Sequence, residues 1–328
     1  MRIATFQLRS RLADVEGNIR KADALVGKLD RILQGNGKRK NLDLLVLPEM
    51  AFSAVGYPEI CPSTLQDNLS LQARTGEDVQ GERRFNSLIV VKESGETLVN
   101  YRKHHLYYTD DPWAHEGESH ESGFFLMPLS TPTKRQSIPK DDSGDASVSS
   151  SPKNEIPTTV GICMDINPYK FIASYSACEF ATHARTSGAK LVVLSMAWLT
   201  LLSSEELSTM ADKPDMDTFQ YWISRFAPLF LPDEGGVEDS SDEMAEPQVI
   251  IVFANRAGEE EGQEGKDTAR YAGSSCVVGI RRCPRKVGDE EDGNRVEILI
   301  WDMLGATEEG ICLVDTDSTP RMVGSVKI

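Results

Sequence analysis

The six cysteines of this chain, at positions 61, 163, 178, 276, 283 and 312, include no CxxC pair. Such scatter excludes a zinc ribbon or a disulfide scaffold and reads as reduced thiols of an intracellular protein. No apolar run reaches the ~20 residues of a membrane-spanning helix, so no membrane association is expected. The opening MRIATFQL enters a strand with neither an apolar signal core nor a transit peptide, so a soluble, cytoplasmic protein is expected, the nucleus not being excluded. There is also no basic stripe. The net charge of −16 is concentrated in residues 141–145, 233–246, 259–267 and 289–292, which hold 19 acids and one lysine. The rest of the chain is close to neutral, so the acidity belongs to solvated insertions. Without a basic surface to neutralise phosphates, nucleic acid is not an expected partner.

What is present is a string of short apolar segments of α/β type. Residues 2–8 read as a buried strand. Leu12, Val15, Ile19, Ala22, Val26, Leu29 and Ile32 recur every three or four residues, predicting an amphipathic helix that ends at Gly35 or Gly37. Residues 43–47 (DLLVL) are apolar after the first position, as expected of a central strand covered on both faces. Residues 87–92 and 97–101 predict a hairpin. Further strands are expected at 159–162, 190–195, 249–254, 275–280, 296–301 and 311–314, with helices at 174–187 and 215–226. Residues 130–157 are polar and aperiodic, an inserted loop, and 233–247 form an acidic loop. Helix-linked strands followed by meandering ones predict a layered sheet flanked by helices, in a single domain over 1–328.

Three residues stand at strand ends, where open α/β sheets keep their chemistry. Glu49 follows the strand at 43–47, Lys103 follows the hairpin, and Cys163 follows residues 159–162. A thiol there is useful only if a base removes its proton, since the thiolate is the nucleophile. Glu49, poorly hydrated at the end of an apolar strand, suits that task. Lys103 supplies a fixed positive charge. Thiol, base and cation together suit attack on a carboxamide, with Lys103 and a backbone N–H near Met164 holding the oxyanion.

The motifs LPEMAFS, YRKHHL and GICMDINPYKF resemble the Glu, Lys and Cys motifs of the nitrilase (carbon–nitrogen hydrolase) superfamily. YYTDDPW, SMAWL, KPDMDTFQYWISRF, FANRAG and YAGSSCVVGI narrow the resemblance to the fungal protein N-terminal asparagine/glutamine amidohydrolase branch, over nearly the whole chain. The resemblance implies a four-layer αββα sandwich, no cofactor and no metal. It also implies removal of the side-chain amide from polypeptide N-termini beginning with Asn or Gln, which feeds the N-degron route. Carried over by motif, Glu49 is the base, Lys103 the oxyanion partner and Cys163 the nucleophile. A second active-site acid falls on Glu116, with Glu118 and Glu121 as competitors. Met164, Asp165 and Trp198 are the candidate substrate-binding residues. A free α-ammonium in a pocket requires a carboxylate, and Asp165 and Asp215 are both open for it.

One departure stands out. LPEMAFS runs directly into AVGYPE, where the family places a helix and the start of a strand, so a segment is expected to be missing at Ser53-Ala54. Two other readings therefore stand beside the first: a small-molecule amidase of the same superfamily, and a catalytically impaired variant. Blander roles are weighed too. Asp165 is expected to fix the turn after the cysteine rather than to react. Trp198, Tyr221 and Trp222 suit packing as well as a pocket. His104, His105, His115 and His120 lack a paired Cys or HExxH spacing, which favours packing or solvated roles over zinc.

Overall fold

A computed structural model describes residues 1–35, 40–53, 76–78, 81–128, 155–210, 212–231, 247–261, 268–283 and 295–327. The 130–157 loop lies outside them except for its last three residues, and the 233–247 loop except for Pro247.

The strands and α-helices run in the order β1 Arg2–Gln7, α1 Val15–Gln34, β2 Leu44–Val46, β3 Gly76–Asp78, β4 Gly81–Arg83, β5 Ser87–Val91, β6 Thr97–Arg102, β7 Phe124–Pro128, β8 Glu155–Ile162, α2 Glu179–Thr186, β9 Leu191–Met196, α3 Ser204–Ser208, α4 Met216–Ser224, β10 Val249–Asn255, β11 Ala257–Glu260, β12 Ala269–Ala272, β13 Cys276–Cys283, β14 Arg295–Met303, β15 Gly310–Asp315 and β16 Met322–Lys327. The larger sheet has seven described strands in the order β16-β14-β13-β10-β9-β8-β7. Its centre, β8-β9-β10, is parallel, and its flanks are antiparallel. A smaller sheet, β15-β1-β2, faces it, and β5 and β6 form a separate hairpin.

Side-chain alternation assigns the layers. Along β9, Leu191 and Val193 point to one apolar cluster, while Val192, Leu194 and Met196 point to another. The first cluster lies between the two sheets, where Ile3, Val46, Cys312 and Val314 meet Val160, Ile162, Val252 and Trp301. The second joins the other face of the large sheet to Phe180, Ala181 and Ala184 of α2 and Phe219, Trp222 and Ile223 of α4. A third packs Ala22, Leu29 and Leu33 of α1 on Ala4 and Phe6 of β1. Helix, sheet, sheet, helix: the layers form the expected αββα sandwich.

Two expectations change. Strand β2 is not central: it pairs with β1 alone among the described residues, and Leu44 and Leu45 are only half-buried. Helix α1 is turned about its axis, burying Asn18, Ala22, Leu29 and Leu33 while Val26 and Ile32 stay exposed. The buried Asn18 explains the turn. Its amide donates to the carbonyls of Arg11 (2.8 Å) and Phe52 (2.8 Å), and its oxygen accepts from Arg11 N–H (2.8 Å). The described residues between β2 and β5 contain no α-helix, and the part of the seam beyond Ser53 lies outside them.

Candidate active site

Three chain segments from different layers meet at one end of the sandwich. Strands β8 and β9 run in parallel register, Ile162 beside Ser195, and so end at the same level. Just past them stand Cys163 and the Ala197 N–H. The loop after β2 is held to this end by three bonds. Ser195 Oγ donates to the Leu47 carbonyl (2.9 Å), Glu49 N–H to the Met196 carbonyl (3.2 Å), and Ala197 N–H to Glu49 Oε2 (3.0 Å). The backbone beyond β6 brings the third segment.

Glu49 is 5% exposed and Lys103 2%. Lys103 Nζ lies 2.8 Å from Glu49 Oε1 and 2.7 Å from Asp110 Oδ2, so one ammonium bridges two carboxylates. Asn86, also buried, donates through Nδ2 to Glu49 Oε1 (2.7 Å) and to Asp110 Oδ1 (3.4 Å). Tyr107 N–H adds a bond to Asp110 Oδ2 (3.1 Å). Burial works against the lysine's charge, but the two carboxylates outweigh it and hold its pKa well above the ordinary range. The ammonium is therefore a permanent charge. Among the described residues, Asp110 and Asn86 are members of this cluster that the sequence reading did not single out. The one available signal was position: an acid in the YYTDDPW turn, seven residues after Lys103.

Cys163 opens a short 3-10 turn, Cys163–Ile166, directly after β8. Its φ of 40° is left-handed, a conformation that costs a non-glycine residue ~1–2 kcal/mol. The strain is held in place by Asp165, which is fully buried. Its carboxylate accepts from Ile162 N–H (2.8 Å), Tyr101 Oη (2.8 Å), His104 N–H (3.1 Å) and His105 N–H (2.8 Å). One side chain thus pins the cysteine turn to the lysine segment. Burial pushes the Cys163 thiol well above its usual range, and Glu49 adds to the rise; Lys103 and the Ala197 N–H oppose it. The resting group is a neutral thiol within the electrostatic reach of both partners.

The other sequence candidates fall around this centre. Met164 is buried, its sulfur accepting from Asn167 Nδ2 (3.1 Å) and its carbonyl from Asn167 N–H (2.8 Å). Trp198 is half-buried on the edge of the apolar cluster that Cys163 and Tyr221 also border, its ring 5.6 Å from that of Tyr221. Glu116 is bound to neither Lys103 nor Glu49. It accepts from Tyr169 Oη (2.9 Å) and pairs with Lys170 Nζ (3.0 Å), both on the turn Tyr169–Phe171 beyond the cysteine. Asp215 caps α4, accepting from Thr218 N–H (3.0 Å) and from the hydroxyls of Thr200 (2.6 Å) and Thr218 (2.8 Å). Both acids considered for an α-ammonium, Asp165 and Asp215, thus have their two oxygens engaged.

No family model matches the chain. A solved N-terminal amidase superposes with a TM-score of 0.64 at 19% identity, covering 100% of this chain and 98% of that one. The fold is that of the N-terminal amidases. An N-terminal amidase solved with a Gln-Gly peptide gives 0.66 at 18% identity, with the same coverage. An amidase from Nesterenkonia sp. gives 0.54 at 18%, covering 96% of this chain and 89% of that one. In sequence the chain is similar to the protein N-terminal amidase of Saccharomyces cerevisiae, 24% identical over 229 residues (64% of this chain, 47% of that protein). It is similar also to that of Schizosaccharomyces pombe, 28% identical over 205 residues (59% and 55%). The chain thus spans about half the length of the curated N-terminal amidases it matches.

Proposed function

We propose that this chain, as one domain over 1–328, is an amidohydrolase converting N-terminal Asn or Gln of polypeptides to Asp or Glu with release of ammonia. The observation that carries the reading is the buried Lys103 bridging two carboxylates, with the Cys163 thiol at a strained strand end beside them. The likeness to amidases solved with Gln-Val, Asn-Glu-Ala and Gln-Gly peptides supports the substrate class.

In this mechanism the thiol stays protonated until substrate arrives. Glu49 takes its proton as sulfur attacks the amide carbon, forming the S–C bond. The oxyanion is held by Lys103 and the Met164 N–H. As the C–N bond breaks, Glu49 returns the proton to the departing nitrogen, and ammonia leaves. Water, deprotonated by Glu49, then cleaves the thioester and frees the new carboxylate. Asp110 keeps Lys103 charged and pointed at this centre, while Trp198 and Tyr221 wall the substrate. Glu116, one-third exposed at the turn beyond the cysteine, lies at the rim of the site. On this proposal the acidic N-termini produced would serve as acceptors for arginyl addition in the N-degron route, and the protein would act in the cytoplasm. No helix among the described residues is long and apolar enough to cross a membrane.

The test is ammonia release from Asn- and Gln-initiated peptides, their N-acetylated forms, and free glutamine. Turnover of the free-amine peptides, lost by about four orders of magnitude or more in Cys163→Ala, is expected. Turnover confined to free glutamine would instead mark a small-molecule amidase, and no turnover of any amide an impaired relative.

A further inference from the structure

The fold brings His120 up against the adjacent pair His104 and His105. His104, His105 and His120 each place a ring nitrogen within 4.8 Å of the other two. Their ring centroids are 4.7–5.2 Å apart. His105 and His120 are buried, and His104 is half-buried, so the cluster has one accessible side. All three flank the candidate active site without belonging to its chemistry.

Which nitrogen each ring offers follows from its other bond. His104 Nδ1 lies 2.8 Å from the Gly117 carbonyl and His105 Nδ1 3.0 Å from that of Asn167. A carbonyl only accepts, so both Nδ1 atoms carry the hydrogen and both Nε2 atoms present a lone pair. His120 Nδ1 lies 3.3 Å from Tyr101 Oη, which gives its own proton to Asp165 and so accepts here. Its Nε2 is again the free lone pair, and it is buried without a hydrogen-bond partner. A buried polar atom left unpaired is costly. The Nε2 of His183, whose ring lies 6.4 Å from that of His120, is unpaired as well. Packed aromatic rings would account for the contacts. They would not account for three imidazoles each anchored through Nδ1, one of them with a buried, empty-handed Nε2.

We propose that His104, His105 and His120 form a binding site for a divalent transition metal ion, zinc first, with a fourth position open toward the exposed side of His104. Imidazole nitrogens select zinc, copper or nickel over magnesium and calcium, which want oxygen. The geometry is close to what zinc needs. With the three nitrogens all within 4.8 Å of one another, an ion can sit within ~2.8 Å of every one; against ~2.0–2.1 Å for Zn–N, the rings need to close in by no more than ~0.7 Å. The outer shell is also in place, since carbonyls hold two rings and the Tyr101–Asp165 chain holds the third. Asp165, bonded to the His104 and His105 amides, supplies negative charge behind the ion. A bound metal would tie the lysine segment to the turn His120–Gly123 and so brace Lys103 from behind.

The experiment uses the 328-residue chain with Cys163→Ala, so that the candidate nucleophile offers zinc no thiolate and the outcome is independent of amidase activity. Zn²⁺ is titrated against a chromophoric chelator, and thermal unfolding is followed with and without it. One equivalent is expected, raising the Tm; adding His120→Gln or His104→Gln should weaken binding at least ~10-fold and remove the Tm shift. Should His120→Gln fail to fold, His104→Gln at the half-buried position decides. Less than one equivalent, or equal affinity in the parent and the His104→Gln protein, overturns the site.

Discussion

The two sheets of the sandwich are unequal. The larger has seven described strands and carries α2 and α4 on its outer face, with β9 buried along its whole length. The smaller has three described strands and α1 alone, and β2 at its edge is half-covered. Yet the candidate site draws its acid from the smaller sheet, its ammonium from the hairpin and its thiol from the larger sheet. The lesson is that the weaker half need not be robust by itself. Its site residues are held by bonds to the stronger half: Ser195 to Leu47, Ala197 to Glu49, and Asp165 to the segment after Lys103.

That contrast can be tested. The largest effect is expected from Lys103→Ala, which leaves Glu49 and Asp110 buried without their shared cation. A stability loss of ~3–5 kcal/mol in urea unfolding is expected, whereas Cys163→Ala should stay within ~1 kcal/mol of the parent. Comparable losses in the two variants would mean that the ion cluster does not hold the halves together. Hydrogen exchange gives the next contrast. Amides of β9 and β10 should exchange only through global opening, and those of β2 at least ~10-fold faster; equal protection would remove the distinction between the sheets.

A subtler expectation crosses the interface. Glu49 raises the Cys163 pKa while Lys103 lowers it. Glu49→Gln deletes the like charge and keeps the cation, so the thiolate forms at lower pH. The pH midpoint of iodoacetamide alkylation at Cys163 should move down as amide turnover is lost. An upward move would mean that the two halves do not communicate as described. The smallest effect belongs to Glu116→Gln. The Lys170–Glu116 pair is one-half and one-third exposed, so solvent screens it and its loss should leave the urea midpoint nearly unchanged. If turnover also stays within ~10-fold, Glu116 is a rim residue; a far larger fall in kcat would return it to the chemistry.

Much of this was legible in the sequence. Uninterrupted apolar runs such as VIIVFA in β10 read correctly because both faces of that strand are buried. The same rule failed at DLLVL, where apolar composition implied two neighbours and β2 has one among the described residues. Strands β7 and β16 went unread: FFLMP and MVGSVK are edge strands, where composition is weakly constrained. At the site, strand ends located Glu49, Lys103 and Cys163. Asp110 and Asn86 escaped because both sit in loops, and only the folded chain brings Asp110 to Lys103 and Asn86 to Glu49. Zinc was weighed for His104, His105, His115 and His120 and packing favoured, since a spacing rule looks along the chain, whereas His120 meets His104 and His105 across it.

The four donors that converge on Asp165 come from two separate stretches of chain: Ile162 at the end of β8, and Tyr101, His104 and His105 at the end of the hairpin. Until the hairpin has docked on β8, that carboxylate sits among unfilled contacts, and the left-handed backbone at Cys163 has nothing to enforce it. A half-assembled chain therefore carries a relaxed, ordinary cysteine. The shaped turn that presents the cysteine should form only as the hairpin docks, and be lost whenever that docking is lost.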